Sequence, residues 1–295
     1  MSDQHGSAAK QDTALLVERW LSCPIGHGKL SVNEGRITSA EPSFKGEIVD
    51  DVALMSGGIQ KSFFDDKFET MQRGHERKGE WDFCYAQQTA LLRHYLKPGH
   101  TILDIGCGPK IPYERPEGTF LIGLEPSFNS IRANADVDLK VCAGSMSIPM
   151  PSASVDVIVC LYSIHHMVGR TRKETSGNVI ASFSEFGRVL KPGGAIFVFE
   201  MTPVFLFRAI QDIGWDTLRR IAPGTLDMYF WSASALKDLS VAVMPKDALL
   251  ERIVFGTSPF TTFPPAFSLP WFKVPRFIYP LDARLYKWSL PAAPR

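Results

Sequence analysis

The residues best placed to do chemistry lie in Thr101-Ile102-Leu103-Asp104-Ile105-Gly106-Cys107-Gly108-Pro109 and at Glu125, which closes a second apolar run starting at Thr119. An apolar run ending in an acidic residue reads as a buried parallel strand, and two glycines one residue apart permit a tight turn and close approach of bare backbone to a ligand. A carboxylate on the tip of the neighbouring strand can accept hydrogen bonds from both hydroxyls of a ribose. The pairing therefore implies a nucleoside site. The third glycine of a dinucleotide fingerprint is replaced by Ile111, which would crowd a helix against a pyrophosphate, so the turn suits a ligand without a diphosphate. Each motif alone has a plainer reading: the glycines as a turn, Asp104 as a strand-end helix cap, and Glu125 as a cap for a helix starting near Pro126 and Ser127. Their joint spacing favours the ligand site.

A second grouping, Tyr162-Ser163-Ile164-His165-His166, follows another strand-like run. A neutral imidazole titrating near pH 6.5 can take a proton from a hydroxyl or an amine, which makes His165 and His166 candidate bases; the plainer reading of each is structural. A third grouping leads nowhere chemical. Structural zinc takes four tetrahedral ligands, yet only Cys23 and His27 could serve, with no second cysteine pair in 39–44, so no metal site is expected.

Elements must position these groups. With 295 residues, 45% of them apolar and 21% charged, the chain can bury a sizeable core, and disorder is not the default. The formal net charge of +1 supplies no global field for a polyanion, which disfavours nucleic acid as substrate. The five cysteines, Cys23, Cys84, Cys107, Cys142 and Cys160, are odd in number and mostly sit in apolar stretches, as reduced core thiols would. Residues 1–12 are polar with no apolar signal core, and no apolar run reaches the roughly 20 residues that span a bilayer, so a soluble, cytoplasmic chain is expected.

Along the chain, residues 1–12 read as a disordered lead and 13–57 as a small unit of short strands around turns. A helix is expected in the second half of Phe63 to Leu96, ended by Lys97-Pro98-Gly99. Strands alternating with helices then run to Glu200, which requires a parallel, doubly wound sheet. A helix from about Phe205 to Ile221 follows, then a further strand within Val241 to Phe255. The segment 256–295 is a tail crowded with Phe, Pro and Trp, too rich in Pro for a regular helix and too apolar to float free.

The Asp-x-Gly-x-Gly turn and strand-end Glu125 resemble the first two motifs of the class I S-adenosylmethionine-dependent methyltransferases. Ala143 to Met167 matches that family's adenine-contacting loop, fourth strand and following loop, and Arg188 to Glu200 its helix, Lys-Pro-Gly-Gly turn and fifth strand. The resemblance implies a Rossmann-like α/β fold, a mostly parallel sheet with a β-rich front unit and an aromatic C-terminal lid or tail. It places a methyltransferase domain at 58–255 with a cap insertion around 203–240. It implies S-adenosylmethionine as cofactor: Asp104 and the backbone of Gly106, Cys107 and Gly108 at the methionine end, Glu125 and Pro126 at the ribose, Ser145 and Met146 at the adenine, and Tyr162 beside them. Many members carry Asp where Ser145 stands. His165 or His166 would overlook the transferred methyl, Tyr85 and Trp231 would face the acceptor, and Met71 and Arg73, with Tyr85, would line the pocket at the methionine end of the cofactor. The front unit resembles the zinc-ribbon segment that precedes some methyltransferase domains, including a family of ribosomal RNA guanine methyltransferases, but without the ligands.

The leading expectation is methyl transfer to a small-molecule or lipid-like acceptor. An isoprenoid double bond would want carboxylates and aromatic faces rather than a base. An RNA base methyltransferase is a second reading, opposed by the near-zero charge, and a non-catalytic cofactor- or partner-binding subunit a third. Phe263, Phe267, Trp271, Phe272 and Phe277 read as a wrapping tail, with an apolar substrate wall or peripheral contact with a membrane surface as the sharper alternative.

Overall fold

A computed structural model describes residues 12–40, 43–55, 82–203, 205–221, 228–246, 248–254, 260–262, 273–275 and 281–292. Residues 1–11, Met71, Arg73 and the tail aromatics Phe263, Phe267, Trp271, Phe272 and Phe277 lie outside them, as does the side chain of Tyr85.

Residues 12–20 form a helix, α1, that the sequence reading placed among strands. It leads into an antiparallel meander of β1 (Ser31–Asn33), β2 (Arg36–Ser39), β3 (Phe44–Val49) and β4 (Val52–Leu54). His27 takes a left-handed turn with φ of 58° and donates its backbone N–H to the Cys23 carbonyl at 2.8 Å. Next come α2 (Asp82–Tyr95), β5 (Thr101–Ile105), β6 (Phe120–Leu124), α3 (Phe128–Ala133), β7 (Leu139–Cys142) and β8 (Val155–Leu161). Every residue of β5 is buried, as a strand covered on both faces requires.

After a short 3-10 turn at Ile164–His166, α4 (Arg172–Val189) starts at Thr171, whose hydroxyl accepts the Glu174 N–H while the Glu174 carboxylate accepts from Arg170. This reciprocal cap satisfies donors that the first turn cannot. Then follow β9 (Leu190–Pro203), α5 (Phe205–Ile221), α6 (Ala233–Val241), β10 (Leu249–Val254), the short pair β11 (Phe260–Thr262) and β12 (Lys273–Pro275), and β13 (Leu281–Ser289).

Eleven strands form one sheet in the order β1-β2-β3-β4-β7-β6-β5-β8-β9-β13-β10. From β4 through β9 neighbours pair parallel, and β13 lies antiparallel between β9 and β10. This is a Rossmann-like sheet with an antiparallel strand near one edge.

Two connections differ from the sequence expectation. The front unit is continuous with the central sheet: Val52–Leu54 run parallel to Leu139–Cys142, Ser22 N–H donates to the Pro149 carbonyl at 3.0 Å, and Val17, Leu21, Cys23 and Ile37 share a core with Leu103 and Ile105. Residues 281–289, counted with the tail from sequence, form an inner strand. Trp288 is 1% exposed, packs on Phe183 with centroids 5.0 Å apart and donates its indole N–H to Ser240 at 3.1 Å. Burying side chains of this size contributes about 2–3 kcal/mol each.

Candidate active site

The C-terminal ends of β5, β6, β8 and β9 converge where the parallel ladders stop. Asp104 pairs across to Gly123 on one side and Val159 on the other, and is 1% exposed. Its Oδ2 accepts the Tyr113 hydroxyl at 2.6 Å. Burial pushes its carboxyl up to about 7; the Tyr113 bond pulls the other way and the Glu125 charge adds to the rise. Burial, with both carboxylates nearby, also pushes the Cys107 thiol well up, so this cysteine is an inert core group packed over Gly123.

Glu125, also buried, is held by two backbone donors: Gly108 N–H at 3.2 Å to Oε2 and Ser127 N–H at 2.9 Å to Oε1. The cap itself is Ser127, whose hydroxyl accepts from Ser130, so the alternative reading of Glu125 as the helix cap is corrected: it braces the cap. Asn134, fully buried, donates to the Gly108 carbonyl at 2.8 Å and closes the loop from the other side.

The glycines have different jobs. Gly106 N–H donates to the Leu124 carbonyl at 2.7 Å and Gly108 N–H to the Glu125 carboxylate at 3.2 Å, so both amides help fix the turn beside Glu125. At Gly106, φ 68°, an added Cβ would lie 2.1 Å from the Ser163 hydroxyl; this glycine serves packing against the loop after β8. At Gly108, φ 58°, a Cβ would meet no described atom within 4 Å, so bare backbone faces open space beside the Glu125 carboxylate. Gly106→Ala should therefore cost more than about 3 kcal/mol, a left-handed penalty of about 1–2 kcal/mol plus the clash. Gly108→Ala should cost only about 1–2 kcal/mol in stability yet weaken ligand binding. Thermal unfolding with and without ligand separates the two, and equal stability losses would contradict this division.

The loop after β8 supplies the second cluster. Tyr162 takes a left-handed φ of 52°, donates its N–H to Phe199 at 2.8 Å, and its hydroxyl accepts from the buried Gln88 of α2. The amide oxygen of Gln88 is buried without a hydrogen-bond partner among the described residues. His165 is 6% exposed; its Nδ1 lies 2.5 Å from Oε1 of Glu200, a fully buried carboxylate at the end of β9. His166 lies tilted against His165 with centroids 4.2 Å apart, and Phe230 stacks on the imidazole from the cap side at 5.2 Å. Ser145 bonds Ser182 at 2.9 Å and Met146 is 49% exposed.

Trp231 is buried and lines a cavity of about 220 Å³ with Arg172, Arg208, Asp212, Tyr229 and Phe230. Its indole N–H has no partner among the described residues, while Tyr229 donates its hydroxyl to Asp212 at 2.5 Å and its N–H to the His165 carbonyl at 2.8 Å. The structure thus brings Asp104, Gly108 and Glu125 together, and separately His165 and the cap segment carrying Trp231. Sequence reasoning gave no role to Glu200, Tyr113, Asn134 or Gln88. For Glu200 a signal existed: an acid closing an apolar run, the same pattern as Asp104.

The sheet order and its parallel core are those of the class I methyltransferase fold. Residues 103–198 match the family model described as "Methyltransferase domain". Among curated proteins, the chain is 37% identical over 113 residues to 27-O-demethylrifamycin SV methyltransferase of Amycolatopsis mediterranei, covering 34% of this chain and 38% of that protein. It is 33% identical over 125 residues to 24-methylenesterol C-methyltransferase 2 of Oryza sativa subsp. japonica, covering 38% and 32%. The matched part thus spans about a third of the length of these relatives. Among solved structures, a chain of the complex between the Haloferax volcanii Trm112 methyltransferase activator and its methyltransferase is similar with TM-score 0.51 and 15% identity, over 79% of this chain and 100% of that one. Haemonchus contortus phosphoethanolamine N-methyltransferase 2, in complex with S-adenosyl-L-methionine, gives 0.50 and 14%, over 80% and 61%. At these identities the likeness establishes the fold.

Proposed function

We propose that the protein transfers a methyl group from S-adenosylmethionine to a small-molecule or lipid-like acceptor. The observation that carries this reading is the buried Glu125 carboxylate, fixed beside Gly108, whose bare backbone faces open space. The residues fit the cofactor: Glu125 accepts from the ribose hydroxyls, Asp104 faces the positively charged end, and the 144–146 loop lies toward the base. When bound, the cofactor supplies an electrophilic methyl group on a sulfonium. The chain's own work is to align the acceptor, exclude water and, for a protic acceptor, remove a proton. Cap residues Tyr229 to Ser232, with Trp231 as an aromatic wall, bind the acceptor. The curated relatives, named as acting on a rifamycin derivative and a sterol, support a bulky apolar acceptor.

Incubating the protein with methyl-labelled S-adenosylmethionine and a metabolite extract should move label into a small organic product. Cofactor binding without any transfer would leave the non-catalytic reading, and label in RNA would favour the nucleic-acid one. The front unit is read as a zinc-ribbon relic without metal. No group of three metal-ligating side chains occurs among the described residues, and elemental analysis of purified protein should find far less than one zinc per chain. One zinc per chain would overturn that part. Among the described residues no helix is long and apolar enough to cross a membrane.

A further inference from the structure

We infer that Glu200 is a positioning residue that fixes His165, rather than His166, as the proton acceptor, so that the methylated group is a hydroxyl or amine rather than an alkene carbon. The inference rests on the methyltransferase reading above and extends it to the acceptor's chemistry.

Glu200 is held on the end of β9 by two backbone donors. His165 N–H reaches Oε2 at 3.1 Å and Met201 N–H reaches Oε1 at 2.8 Å. With 0% exposure and both oxygens engaged, the carboxylate cannot swing away, and Oε1 stays 2.5 Å from Nδ1 of His165. A neutral Nδ1 would set its lone pair against those of a carboxylate. The arrangement is satisfied when Nδ1 carries the hydrogen, which leaves the lone pair on Nε2. The pair thereby selects the tautomer that can accept a proton, and the resulting imidazolium keeps a carboxylate against it.

The same residue is tied to the acceptor cavity. The His165 carbonyl holds Tyr229 N–H at 2.8 Å, and Phe230, which lines the cavity, stacks on the imidazole. The His165 side chain keeps 8% exposure, the outlet by which it exchanges its proton with solvent. In the step this implies, the acceptor O–H bond breaks and its proton passes to Nε2. Its electron pair forms the O–C bond to the methyl, and the pair of the broken C–S bond stays on sulfur. The titratable groups against His165 are Glu200 from β9 and His166 from the same turn; behind Glu200 lies Cys160 of β8, whose thiol burial pushes well up, with the Glu200 and Asp104 charges adding to the rise.

The test is nitrogen NMR of the full chain with ring-labelled histidine, the His165 signals being assigned with His166→Gln. In the wild type at pH 8, Nδ1 should be protonated and Nε2 not. In Glu200→Gln the preference for the Nδ1–H tautomer should be lost and both tautomers populated, with S-adenosylhomocysteine binding unchanged by calorimetry. An Nε2–H tautomer in the wild type, which requires no variant, would overturn the proposal, as would an unchanged tautomer in Glu200→Gln. So would a product of the labelled transfer with its methyl on carbon. Absence of S-adenosylhomocysteine binding to the wild type would instead remove the methyltransferase reading and leave the tautomer result standing.

Discussion

Glu125→Ala should weaken S-adenosylmethionine binding about 100-fold. Hydrogen bonds to a charged, buried acceptor are worth about 1.5–3 kcal/mol each, and losing both ribose contacts removes about 3 kcal/mol, which is about two decades in Kd. The substitution also takes away the acceptor of Gly108 N–H and Ser127 N–H, loosening the loop that presents the bare face. Glu125→Gln separates these effects. It keeps one acceptor oxygen and most of the brace, and should cost only about tenfold, the equivalent of about 1.4 kcal/mol. Calorimetry measures both variants, and unchanged affinity in the alanine variant would remove Glu125 from the ribose.

Asp104→Asn should make the protein more stable at pH 8 while impairing it. The folded carboxyl is raised from 3.8 to about 7, chiefly by burial, so the folded state binds the proton more tightly than the unfolded chain. Stability is then full below about pH 4, falls as pH rises toward 7, and stays reduced above it. At 1.36 kcal/mol per unit, the ionised group costs on the order of 2–4 kcal/mol at pH 8. Asparagine carries no charge and can still accept from the Tyr113 hydroxyl. Its Tm should therefore rise by about 5–10 °C at pH 8 and hardly at all at pH 4. A bound sulfonium would draw the proton off Asp104, so wild-type affinity for the cofactor should increase between pH 6 and 8, and the asparagine variant should lose both that slope and much of its affinity. Scanning calorimetry at the two pH values is decisive for the first part: a variant less stable than wild type at pH 8 would show that ionised Asp104 carries no such cost.

The parts of the molecule readable from sequence are those in which local pattern and burial coincide. The runs ending at Asp104, Glu125 and Glu200 are continuous and apolar because both faces of those strands are covered, and the turn after Ile105 needs residues that tolerate positive φ. Helix α5 appears where its sequence places it, from Phe205 to Ile221. What escaped is set by pairing at long range. Nothing local in Val52–Leu54 announces a parallel partner at Leu139–Cys142, and the strand at Leu281–Ser289 follows a Pro-rich segment that made it look like a tail.

The same holds at the site. Asp104 and Glu125 carry their own signals, whereas Tyr113, Asn134 and Gln88 act through partners that the chain's path brings near. The Glu200 carboxylate meets His165 only because β8 and β9 are neighbours in register, Leu161 opposite Phe199. Sequence spacing shows the acid and the imidazole; the sheet makes them a pair.

The most direct test of the central claim is a crystal structure of the full chain with S-adenosylhomocysteine. It should show both ribose hydroxyls bonded to Glu125 and the ligand lying over Gly108. A ligand bound elsewhere, or strand ends that stay empty at saturating concentration, would contradict the account.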